Sequence, residues 1–127
     1  MRAGTYNFTC EQGSTFSRLI ELEQPDLVTD PTGQTFDVFD LSGYTARMQV
    51  RRTIDSSTAM VTLTTENGGI TINQTPGSIN HINIYIADTQ TSTLQSNGVY
   101  DIEIINSDGE VSRILQGVFT VSPEVTR

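Results

Sequence analysis

The chain predicts an all-β domain, an antiparallel β-sandwich of immunoglobulin-like or related topology with about seven to nine short strands. Three observations carry that expectation. Apolar and polar residues alternate along most of the sequence, β-branched residues are dense within the alternating runs, and Gly, Asn and Asp separate those runs at strand-length intervals. The same pattern allows a small closed barrel as the alternative. Two layers are expected, because a single sheet would leave its isoleucine face in water.

Tyr6, Phe8 and Cys10 alternate with Asn7 and Thr9, giving a first strand that runs into the turn Gln12-Gly13-Ser14. Phe16 to Leu22 follows, with Phe16, Ile20 and Leu22 on one parity. The two segments either pair or bend from one sheet to the other at Gly13. Residues 23–34 carry Pro25, Asp26, Asp30, Pro31 and Gly33 and read as a loop, and Thr35 to Phe39 reads as a short edge strand.

The clearest strand is Tyr44 to Arg51. Tyr44, Ala46, Met48 and Val50 fall on one side and Thr45, Arg47, Gln49 and Arg51 on the other. A turn over Ile54 to Thr58 leads to the inward set Ala59, Val61 and Leu63. Glu66-Asn67-Gly68-Gly69 reverses the chain, Ile70 and Ile72 continue it, and Thr75-Pro76-Gly77 closes that strand. Ile82, Ile84 and Ile86 point inward from the next one. Asp88 to Leu94 is the one place for a helical turn, capped by Asp88 with Leu94 returning to the core.

Asp108-Gly109 lies between two alternating runs and predicts a two-residue type I′ hairpin. With Ser107 opposite Glu110, the residues Tyr100, Ile102 and Ile104 share a face with Val111, Leu115 and Phe119. That register also turns Arg113 inward beside Ile104, which demands a rim position, a bulge or a carboxylate partner.

A length of 127 residues fits one domain, 1–127, large enough to form a core without metal or disulfide support. Seven arginines, no lysine and fifteen acidic residues give a net charge of −8. That field repels a phosphate backbone and anionic lipid, so neither nucleic acid nor a membrane is an expected partner. No hydrophobic leader or membrane-length run occurs in the sequence, which suits a soluble protein made in a reducing cytoplasm.

No catalytic, cofactor-binding or metal-ligating motif emerges, and no cofactor is expected. Cys10 is the single cysteine and reads as a buried apolar residue; His81 is the single histidine and reads as a rim residue, so a Cys10/His81 dyad is disfavoured. Asp101 and Glu103 share an outer strand face about 7 Å apart, a separation a glycosidase pair could use. On an open face they read instead as a solvated stripe. Asp26, Asp30, Asp37 and Asp40 lack the dense alternation of a calcium loop. Arg47 and Arg51 share an outer face on an acidic body, an asymmetry that favours self-assembly through another copy's carboxylates unless intramolecular partners take them.

The series Tyr6-x-Phe8, Gln12-Gly13-Ser14-Thr15-Phe16, Asp40 through Arg51 (DLSGYTARMQVR), Val99-Tyr100-Asp101-Ile102-Glu103, and Gln116-Gly117-x-x-Thr120 through Arg127 resembles small virion structural proteins of tailed bacteriophages. It is similar to the N-terminal attachment domain of phage baseplate upper proteins. The resemblance implies a non-enzymatic virion component, made in the host cytoplasm, that docks on tail, baseplate or neck in multiple copies and serves as an adaptor for fibers. Ending at Arg127, such a module would bind a separate fiber protein or decorate a surface itself, with Met1 to Thr5 and Ser122 to Arg127 as docking tails. The alternatives are a capsid decoration (head cement) protein and, from another class, a glycan-binding module, which the absence of Trp disfavours.

Overall fold

The computed structural model describes residues 4–21, 23–25, 36–38, 41–72 and 81–126. Its strands are β1 (Gly4–Thr5), β2 (Phe8–Glu11), β3 (Phe16–Glu21), β4 (Glu23–Pro25), β5 (Phe36–Val38), β6 (Thr45–Arg51), β7 (Val61–Thr64), β8 (Ile70–Ile72), β9 (His81–Ile86), β10 (Gly98–Ile105) and β11 (Val111–Ser122), with one short helix, α1 (Asp88–Thr91). Six strands form a sheet ordered β1-β11-β10-β6-β7 with β2 also on β11, three form a sheet ordered β3-β9-β8, and β4 pairs β5 in a two-stranded ribbon. The fold is the expected β-sandwich. Residues 23–25, expected as loop, are a paired strand; the turn at Thr75 to Gly77 lies outside the described residues.

Alternation explains the layers. Ala46, Met48 and Val50 from β6, Val61 and Leu63 from β7, and Tyr100, Ile102 and Ile104 from β10 are buried on the inner face of the larger sheet. Ile70, Ile82, Ile84 and Ile86 answer from the smaller sheet. Each fully buried aliphatic or aromatic side chain of this kind contributes about 1.5–3 kcal/mol relative to exposure. An aromatic seam joins the sheets at one end: Phe16 of β3 meets Phe8 of β2 edge-on at 5.6 Å and Phe119 of β11 at 5.5 Å.

The bend at Gly13 is the outcome for the first two strands. β2 lies parallel to β11 in the larger sheet, and β3 starts the smaller one antiparallel to β9. Gly13 takes φ +84° at the crossing, a left-handed conformation that L side chains rarely adopt. β1 and β2 keep one register on β11, Gly4 opposite Leu115 and Phe8 opposite Phe119. Between them the Asn7 side chain accepts from the Val118 amide at 3.0 Å. This parallel N-terminal strand makes the larger sheet mixed.

The β10–β11 hairpin differs from the type I′ expectation. Asn106 donates to the Glu110 carbonyl, and Gly109, at φ +85°, donates back to Asn106, so the loop holds three residues and Ile105 faces Val111. That is a turn closed by a left-handed glycine. A bulge then shifts the register between Ile102 and Glu103. Ile114 becomes buried in the inward place expected of its neighbours, Val111 stays half exposed, and Arg113 turns outward opposite Glu103. The longer loop and the bulge cancel, so Ile102 still faces Leu115 as the alternation required.

At the opposite end, α1 begins after Ala87, whose extended backbone caps it without a side-chain bond; Asp88 occupies the first turn instead of the cap. Leu94 returns to the core as expected. Thr91, fully buried, accepts from the Gly13 amide at 3.1 Å and donates to the Ser14 carbonyl at 2.8 Å. Gln12 donates to Leu94 at 2.7 Å and accepts from the Glu124 amide at 2.9 Å. Crossing, helix and C-terminal segment are thereby tied into one corner.

Candidate functional site

The outer face of the larger sheet carries a polar arrangement that spans five strands. Outward side chains from adjacent strands fall in rows because register fixes them: Thr5, Gln116, Asp101, Gln49 and Thr62 lie opposite one another across five strands. Beside that row Glu103 faces Arg47 on β6 and Arg113 on β11. A groove of about 500 Å³ opens there, lined by Gln49, Arg51, Asp101, Arg113, Gln116 and Val118 among others.

Its electrostatics are graded. Arg47 and Glu103 pair at 2.7 Å, whereas Arg113 reaches Asp101 at 3.4 Å and Gln116 at 3.2 Å. Arg51 donates to the Ser56 carbonyl and the Gln49 side chain, each at 2.9 Å. Burial raises the Asp101 carboxyl above its ordinary range, Glu103 pushes it the same way, and Arg113, Arg47 and Arg51 pull it back. Arg47 and Arg51 thus have intramolecular partners, and the sequence pair Asp101/Glu103 does share one face.

The other candidates lie apart. Cys10 is fully buried in β2, and burial pushes its thiol up, opposed by Arg18. His81 sits in the smaller sheet opposite Glu21, with Nε2 3.8 Å from the carboxylate. The structure does not bring Cys10 and His81 into one site. Among the described residues no group of three His, Cys, Asp or Glu could hold a metal ion. Asp37 lies in β5, while Asp26, Asp30 and Asp40 lie outside the described residues. No helix among the described residues is long and apolar enough to cross a membrane.

Of the expected docking tails, Gly4 and Thr5 form β1, and Met1 to Ala3 lie outside the described residues. Ser122 ends β11 and accepts from the Gln12 amide at 2.9 Å, and Glu124 is bound by Gln12 as well. Only Val125 and Thr126 extend beyond these ties, with Val125 92% exposed, and Arg127 lies outside the described residues. Sequence reasoning missed Gln49, Gln116 and Thr5 as groove residues. Their outward parity was legible, but the order that sets β1, β11, β10 and β6 side by side was not.

No family model matches the chain, and no curated protein matches it.

Proposed function

We propose that this chain is a non-enzymatic structural protein of a tailed-bacteriophage virion, docking on tail, baseplate or neck in multiple copies and serving as an adaptor for fibers. The immunoglobulin-like relation belongs to the same proposal, as does the absence of nucleic-acid or membrane partners. The observation that carries it is the outer face of the larger sheet: Arg47 and Arg113 are paired with Glu103 and Asp101 on an open surface, an arrangement suited to protein contact rather than to acid–base turnover. A catalytic carboxylate pair needs an enclosure that drives two pKa values apart, and Asp101 with Glu103 stands beside three arginines instead.

Sheet edges offer a second means of docking through backbone hydrogen bonds. Two such edges are already managed. Asn67 accepts from the Thr64 amide and donates to the Thr62 carbonyl along β7, and Arg18 donates to the Thr9 carbonyl of β2. Docking through the outer face therefore fits better than indiscriminate strand addition.

Locating the chain in intact particles tests the reading. Density at tail, baseplate or neck is expected; density on the capsid exterior would select the decoration alternative. A purified chain that binds a glycan array strongly, yet is absent from particles, would move it to the glycan-binding class that the polar groove also accommodates.

A further inference from the structure

We propose that the groove over Gln49, Asp101, Arg113 and Gln116 docks a second copy of this chain, entered by the acidic tip Asp108–Glu110 of that copy's β10–β11 hairpin. The charges are complementary. Two arginines against one aspartate line the groove, giving +1 on a chain whose net charge is −8, so within contact range it attracts a carboxylate-bearing tip, although the two acidic bodies repel at longer range.

Arg113 is the receiving group. Its contacts at 3.4 and 3.2 Å lie at or beyond the long end of hydrogen-bond distances, unlike the 2.7 Å pair of Arg47. A guanidinium fork so loosely held can take a bidentate carboxylate without first breaking a strong bond.

The tip suits it in shape and order. Residues 107–110 are exposed, and the Asn106 side chain accepts from the amides of Asp108 at 3.0 Å and Glu110 at 2.9 Å. A turn already fixed loses little conformational freedom on docking. It projects from the Ile105 end of β10, whereas the groove spans Val99 to Asp101 toward the other end. One copy cannot fill its own groove, so the contact runs between copies, either reciprocally in a two-fold dimer or head to tail in a ring or row.

The inference rests on the multicopy reading above, and its test separates the two. Sedimentation of the purified chain over a concentration series should show association that weakens as salt is raised. Arg113→Glu, and independently the pair Asp108→Asn with Glu110→Gln, should each weaken it at least about tenfold, with the folded β signal retained by circular dichroism. The charge-swapped chain carrying Arg113→Glu and Asp108→Arg should recover it. A wild-type chain that stays monomeric at low salt, or association indifferent to either set of substitutions, overturns the contact even if the chain enters particles. Association without particle entry upholds the contact and overturns the virion role.

Discussion

The two ends of the sandwich are closed by different kinds of hydrogen bond. At the corner, Thr91 and Gln12 join residues 77 to 112 positions apart in sequence. At the hairpin tip, the Asn106 side chain bonds only residues two and four positions on. Ties across a long loop form only once the two sheets are assembled, so losing one is paid for by the whole fold. Local ties form within the turn itself, and their loss stays there.

The largest expected effect comes from the aromatic seam beside the corner. Phe16 is 2% exposed and touches Phe8 and Phe119 from the opposite sheet. Phe16→Ala should cost about 3–5 kcal/mol, measured as a shift in urea midpoint at unchanged m-value. A cost below about 1 kcal/mol, the range of surface changes, would mean that the corner does not clamp the sheets.

The corner and tip can then be set directly against each other. Thr91→Val keeps the side-chain shape but leaves the Gly13 amide and the Ser14 carbonyl without their hydroxyl partner, at about 1–3 kcal/mol. Asn106→Ala removes three bonds, yet in a solvent-exposed turn where water replaces them, so about 0.5–1 kcal/mol is expected. Amide hydrogen exchange sharpens the contrast. Thr91→Val should speed exchange in both sheets, whereas Asn106→Ala should speed it only around Ser107 to Val111. Equal, fold-wide loss of protection in the two variants would erase the distinction.

The same contrast marks what the sequence reveals. Parity along a strand is a local property, so the inward Ile82, Ile84 and Ile86, the buried Cys10 and the shared face of Asp101 and Glu103 follow from spacing alone. The hairpin was legible to within one residue. Asp108-Gly109 marked it, while the three-residue loop and the bulge were foreshadowed only by the improbable inward Arg113. Thr91 gave no such sign: a threonine among Asp88, Gln90 and Ser92 looks like surface, and its partners lie in a turn far away in sequence. The groove was hidden for the same reason, since strand order is decided by long-range packing that no short window of residues contains.

The smallest effect belongs to the outer face, where Asp101 tests whether the groove is a partly dry site or an ordinary wet surface. Its carboxyl is raised above the ordinary 3.8, chiefly by burial and then by Glu103. A carboxyl whose folded value exceeds its unfolded one binds its proton more tightly in the folded state. The stability it contributes is therefore complete below the unfolded pKa and is lost as pH rises through the raised value. Asp101→Asn removes that dependence, so wild type should lose ground to the variant between about pH 3 and neutrality, the reverse of the usual salt-bridged carboxylate. The side chain is 40% exposed and three arginines oppose the shift, so solvent screening keeps the difference small. Melting temperatures of the two chains across that range decide it. If wild type instead gains on the variant as pH rises, the Arg113 pair dominates Asp101, and the groove holds its arginine more firmly than docking a second carboxylate would allow.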